Sequence, residues 1–406
     1  MELPVRRWVS IALFNLLIVA CIGVVLRYKI LYPLPIVDQK HLLHGHSHFA
    51  FVGWISQAIM TMLVIYLENK TAEPAYKRYK WLLYTNLLTA YGMLITFPIE
   101  GYGLYSIIFS TASIFVSYIF GITYWRDLNR QKKEEPAHLW FKASLLFNAV
   151  SSLGAFALAV MMVKRVVFQN AYLAAEYFYL HFQYNGWFFF SCMGLFTGVI
   201  HRLGFESKLL RRIFWVFSFA FVPAYFLSAL WMDLPVWVYI LVVISAIAQV
   251  IGWAGLVYML KKKWLLLRNE LSPTESWVLL FSAIALSIKL LLQLGSTIPS
   301  LSDLAFGFRP IVIGYLHLVL LGVITLFLLG YMFAAKYLPT NKHTSAAVFI
   351  FAAGVIINEL LLMIQGVSAI GYINVPFINE LLLAAAGILF SGALYLFVAS
   401  RKISRK

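Results

Sequence analysis

Five histidines lie within strongly apolar stretches: His44, His46 and His48 in HGHSHFAFVGW (44–54), His181 in HFQYNGWF (181–188) and His317 in HLVLLGVI (317–324). Imidazole carries a lone pair that ligates haem iron, copper or zinc, and a polar side chain inside a membrane is costly unless it is paired. The plainer reading of each is a hydrogen bond to a neighbouring helix. His44 and His48 are four residues apart and share a helical face, whereas His46 lies about 200° round from His48. One face can therefore serve one partner and the opposite face another. His44 also reads as an interfacial residue at the start of its helix.

The elements that must position these rings are membrane helices. Of the 406 residues, 62% are hydrophobic and only 12% charged, which excludes an ordinary soluble domain. Apolar runs long enough to cross a hydrocarbon core of about 30 Å recur along nearly the whole sequence. The expected fold is all-α, with twelve transmembrane helices at roughly 8–26, 42–66, 79–99, 104–124, 141–163, 177–200, 213–231, 235–260, 274–295, 310–335, 344–365 and 377–399. The first run follows Arg6 and Arg7, has no small-residue cleavage site and reads as an uncleaved helix.

A net charge of +16 points to no nucleic acid, because the basic residues gather in alternate loops. Lys70, Lys77, Arg78 and Lys80 follow the second helix, and Arg126, Arg130, Lys132 and Lys133 the fourth. Arg202, Lys208, Arg211 and Arg212 follow the sixth, and Lys261, Lys262, Lys263 and Arg268 the eighth. This positive-inside pattern places both termini in the cytoplasm and suggests a bacterial inner membrane, with lipid as the first partner. Cys21 and Cys192 are the only cysteines and read as packing residues.

The opening motif returns. HFAFVGWI (48–55), HFQYNGWF and HLVLLGVI each carry histidine and glycine five apart, at intervals of 133 and 136 residues. Each interval holds four helices, so the expectation is three four-helix units at approximately 1–135, 136–270 and 271–406. The second, sixth and tenth helices run in the same direction, and their histidines lie at similar depth. In an α-helix the glycine at i+5 points about 140° away from the histidine and reads as a close-packing position.

With HSHFAFVG on the second helix and YLHLVLLG on the tenth, the chain resembles the haem-copper oxidase superfamily, in particular its nitric oxide reductase and cbb-type branches. The NnrS-type nitric oxide response proteins are similar in the same segment. The resemblance implies a pseudo-threefold ring of twelve helices, with a low-spin haem b held by His48 and His317. It matches His181 to a copper ligand. The pattern departs elsewhere: Tyr315 stands where a high-spin haem ligand is expected, and the seventh helix, FWVFSFAFVPAYFLSALWM, has no histidine pair for copper. A second haem or another metal, copper included, between His46 and His181 is the rearranged alternative. Tyr184 is a candidate to hydrogen-bond a ligand there, or it packs as one of 23 tyrosines.

Glu100, Glu359, Glu380, Lys289 and Gln293 all fall toward the expected outer ends of their helices, and no carboxylate lies in an inner half. Proton uptake from outside, with Glu100 and Glu359 as carriers, is the expectation, and helix-end solvation the alternative. Arg309, Lys164 and Arg165 are candidates to pair with haem propionates or to anchor helix ends. His41, His138, His201 and His343 read as solvated. No CxxCH motif occurs, so electrons would come from quinol or a separate subunit.

Three function classes follow: a haem-bearing redox protein that handles a diatomic gas, nitric oxide before oxygen; a non-catalytic haem sensor or electron-transfer protein; and a secondary transporter. The last usually shows a twofold repeat.

Overall fold

The computed structural model describes residues 4–70, 74–131, 133–302 and 308–402; Lys132, one of the basic loop residues, lies outside them. Regular structure among the described residues is helical throughout. The long helices are α1 (Val5–Leu31), α2 (Gln39–Glu68), α3 (Tyr76–Glu100), α4 (Leu104–Asn129), α5 (Pro136–Val163) and α6 (169–202). After these come α7 (Ser207–Phe221, continued by a 3-10 turn Pro223–Ala229), α8 (Val236–Lys262), α9 (Pro273–Gly295), α10 (Arg309–Ala334), α11 (Lys342–Ile370) and α12 (Ile378–Lys402).

Local chemistry explains where several of these begin and end. Asp38 caps α2 by accepting the His41 backbone N–H at 2.8 Å, and that bond holds the Asp38 carboxyl below its ordinary range. Pro136 opens α5 at a position where a missing N–H costs nothing. Asn341 starts α11 with a reciprocal capping box to Thr344. Pro223 cannot continue an α-helix, and the chain bends by 45° between α7 and the 3-10 turn that follows.

Among the described residues, ten helices are long and apolar enough to cross a membrane, eleven if the bent α7 pair counts as one span. The protein is a multi-pass membrane protein. Continuous α6 is not among the ten, because His181, Gln183 and Asn185 lower the apolarity of its middle. Twelve spans are therefore more than length and composition alone establish.

Three of the helices change their winding at corresponding places. Phe49–Ser56 in α2, His181–Phe188 in α6 and Leu318–Thr325 in α10 are π-helical. Each segment begins at, or one residue after, a histidine of the repeated motif. Such winding is rare and is found often at functional sites. Because hydrogen bonds there join residues five apart, each turn is wider than an α turn and residues i and i+5 come nearer to one face. The expectation that the motif glycine faces away from its histidine assumed α geometry and does not hold here. Close packing of that glycine does hold: a β-carbon at Gly186 would come 2.7 Å from Cβ of Phe147, and one at Gly53 would meet the Phe49 ring.

The helices gather into two compact units. The first comprises Met1–Ile122, Pro273–Ser282 and Leu321–Lys406, and the second Thr123–Ser272 and Ala283–Leu320. In the first, α11 packs along α12, α12 along α1, and α2 against α1 and α3. In the second, α5 packs on α6 along most of its length, and α7 on α8.

Each π segment is held by a polar side chain from a neighbouring helix. In the first unit, Asn15 of α1 is fully buried, donates to the Gly53 carbonyl and accepts the Tyr91 hydroxyl at 2.7 Å. Asn86 of α3 donates to the Val52 carbonyl at 3.2 Å, and Ser282 of α9 to the Val323 carbonyl at 2.8 Å. Trp54 and Thr325, each within a π segment, are joined by a 3.0 Å hydrogen bond. In the second unit, Gln183 donates to Asn148 and Ser151 of α5 at 2.9 and 2.7 Å.

Candidate functional site

His44 and His48 share one face of α2, as their spacing requires, and both meet an aromatic corner made by the end of α3. The His48 ring stacks on Phe97, with centroids 4.2 Å apart and planes 9° from parallel. Its Nε2 lies 3.5 Å from the Tyr102 hydroxyl, too long for more than a weak bond. His44 meets the Tyr102 ring edge-on at 4.7 Å, and its buried Nε2 has no hydrogen-bond partner. His46 points the other way, its ring beside Gly23 of α1.

In the second unit, His181 is 1% exposed and both its ring nitrogens are engaged. Phe221 ends α7. The next turn tightens to 3-10 winding, in which the Tyr225 N–H bonds the Val222 carbonyl instead. The Phe221 carbonyl is thus left for His181, whose Nε2–H donates to it at 3.1 Å. A carbonyl can only accept, so the proton sits on Nε2, and Nδ1 accepts from the Asn185 amide at 3.2 Å. The geometry makes His181 a pin between α6 and the break in α7. Among the described residues no three His, Cys, Asp or Glu side chains come together to hold a metal ion. The metal expected near His181 therefore finds no donor set of that kind.

Tyr184 is buried and edge-on to Tyr315 at 6.4 Å between centroids. His317, in the same unit, is half-buried at the end of the α-helical part of α10. Its Nδ1–H donates to the Ile313 carbonyl at 2.8 Å, which fixes the tautomer and makes Nε2 the lone-pair nitrogen. Metal-bound imidazoles are oriented by such a bond. His48 lies in the first unit, where its neighbours are the Phe97 ring and the Tyr102 hydroxyl.

The carboxylates divide. Glu100 accepts the backbone N–H of Ser106 at 2.6 Å, in the first turn of α4, where unsatisfied N–H groups and the helix dipole favour an anion. In this structure it caps the helix. Glu100→Ala should cost about 1 kcal/mol of stability in thermal unfolding of the detergent-solubilised protein; an unchanged midpoint would contradict the cap. Glu359 is half-buried on α11, takes a hydrogen bond from Asn358 at 3.1 Å and interacts electrostatically with Arg27 of α1. Glu380 is exposed, as are Arg309, Lys164 and Arg165.

Several smaller expectations change. His138 is not solvated: it is 2% exposed and completes a capping box with Glu135. His41 packs its ring against Gly101. His201 bonds Ser207 at 2.8 Å and exposed His343 bonds Tyr395 at 2.8 Å. Cys192 is buried, but Cys21 faces outward and is no packing residue.

The polar pins escaped the sequence reading, although a signal was there. Leu13-Phe14-Asn15, Leu146-Phe147-Asn148 and Leu280-Phe281-Ser282 recur on α1, α5 and α9. Asn15 and Asn148 stand 133 residues apart, the same interval as His48 and His181. In each case the polar residue contacts the π segment of the helix that follows.

No protein-family model matches the sequence, and no curated protein matches it.

Proposed function

We propose that this chain is a haem-bearing redox protein of the bacterial cytoplasmic membrane, with twelve spans in three four-helix units and both termini inside. His48 and His317 are the residues that would hold the haem, and a diatomic gas, nitric oxide before oxygen, is what it would handle. The threefold reading is supported by the recurrence of histidine, π segment and polar pin at matching intervals. The haem reading rests on the likeness of HSHFAFVG and YLHLVLLG to the haem-copper oxidase and NnrS patterns. The single observation that carries it further is His317, whose Nδ1–H on the Ile313 carbonyl leaves the lone pair on Nε2.

The donor chemistry fits a haem with two unequal imidazoles. A bound haem supplies an iron that exchanges electrons and, where a ligand position opens, takes a diatomic gas. The protein's part is to hold His317 in one orientation and His48 by ring stacking on Phe97, so that His48 is the imidazole able to turn aside. Glu359 stays the candidate for proton delivery from the outer side. Electrons come from quinol or a separate subunit.

A second reading, electron transfer or sensing without gas turnover, is favoured by one observation. His181, matched by resemblance to a copper ligand, has both ring nitrogens bonded within the fold.

Haem content of the purified chain, with a carbon monoxide difference spectrum of the reduced protein, tests both. About one b-type haem per chain and a carbon monoxide shift are expected from the first reading. Haem without a shift favours the second. Absence of haem after expression with haem supplied would remove both.

A further inference from the structure

Among the described residues, the interior of the second unit holds a cation without a counter-charge. Lys289 on α9 is 4% exposed and makes no hydrogen bond or ion pair among the described residues. Its Nζ lies over the face of Phe189, 5.8 Å from the ring centroid. His181 is near enough to interact with it electrostatically, but that ring is engaged with Phe221 and Asn185 and brings no negative charge. One helical turn on, Gln293 is 7% exposed, and its Oε1 has no partner. Residues four apart share a helical face. Their helix neighbours Ile288, Leu291 and Leu292 are exposed, so the polar pair is turned away from the side of α9 that meets lipid.

Burying an ammonium without an anion, and an amide without a partner, is unfavourable twice over. One group lying against this turn of α9 would satisfy both. We propose that Lys289 and Gln293 form a binding site for a monovalent oxyanion of carboxylate type. Its oxygens take hydrogen bonds from Lys289 Nζ and, after a half-turn of the amide, from Gln293 Nε2. One ammonium balances one negative charge, and a dianion would keep a second charge unpaired in a low-dielectric interior. The Phe189 ring, already beneath the ammonium, supplies an apolar wall. The ligand is either a free small ion or the carboxylate head of an amphiphile from the bilayer. Neither Lys289 nor Gln293 takes part in the haem reading, so the site stands independently of it.

Thermal unfolding of the full-length protein in uncharged detergent tests the proposal, with sodium formate and sodium octanoate as probes at constant ionic strength. A ligand that binds only the folded state raises the midpoint saturably. A rise with formate identifies a free small ion, and a rise with octanoate alone identifies an amphiphile head. Lys289→Met should weaken the response by about tenfold or more. Gln293→Glu places a carboxylate one turn from Nζ; it should raise the midpoint without ligand and abolish the response, which decides the matter if Lys289→Met fails to fold. No saturable rise with either probe in the wild type, or an unchanged rise in Gln293→Glu, overturns the site.

Discussion

Replacing His317 with alanine should leave the protein without haem, whereas replacing His48 should leave haem bound but change it from low-spin to high-spin. The difference follows from how the two rings are held. His317 is oriented by its 2.8 Å bond to the Ile313 carbonyl, the kind of support whose loss typically weakens metal affinity by about 10–100-fold; removing the ring itself goes further. His48 is held by stacking on Phe97 and a 3.5 Å approach to Tyr102. Optical spectra of the oxidised and reduced variants, read against haem content, make the comparison. Carbon monoxide should bind reduced His48→Ala faster than wild type, because the imidazole that would compete with it for the iron is gone. Identical low-spin spectra in both variants and the wild type would mean that other histidines are the ligands.

The second large effect concerns stability. Asn15→Leu removes the donor to the Gly53 carbonyl and the acceptor of the Tyr91 hydroxyl, leaving both without their Asn15 bonds in an apolar interior. A buried polar group deprived of its partner costs about 1–3 kcal/mol, so two such groups put the variant about 2–6 kcal/mol below wild type. Asn148→Leu, which takes one of two partners from Gln183 and leaves it the bond to Ser151, should fall at the lower end of that range. Phe14→Leu is the control: residue 14 precedes the pin but is 41% exposed, and its effect should stay within about 0.5 kcal/mol. Unfolding midpoints of the three variants decide. Equal stability of Asn15→Leu and Phe14→Leu would show that the recurring asparagine does not brace the π segment.

Helix positions were legible because apolar runs bounded by charge and proline carry that information directly. α5 begins at Pro136 and α7 breaks at Pro223 for reasons visible in one residue each. The π segments were not legible, since HFAFVGWI reads equally well at either winding. That ambiguity misplaced the motif glycine relative to its histidine. The site divided in the same way. The shared face of His44 and His48 follows from their spacing. The role of His181 depends on a carbonyl released forty residues later, where α7 tightens, and nothing near HFQYNGWF announces it. The capping role of Glu100 was not legible either, because a carboxylate at a helix end looks the same in sequence whatever it contacts, and only the structure shows the 2.6 Å bond from the Ser106 N–H.

The central claim is that two imidazoles hold a haem in this chain, and low-temperature electron paramagnetic resonance of the oxidised, purified wild type tests it most directly. A low-spin ferric signal of bis-imidazole type, integrating to about one spin per chain, is the expected result. A purely high-spin ferric signal, or no haem signal in protein expressed with haem supplied, would contradict it.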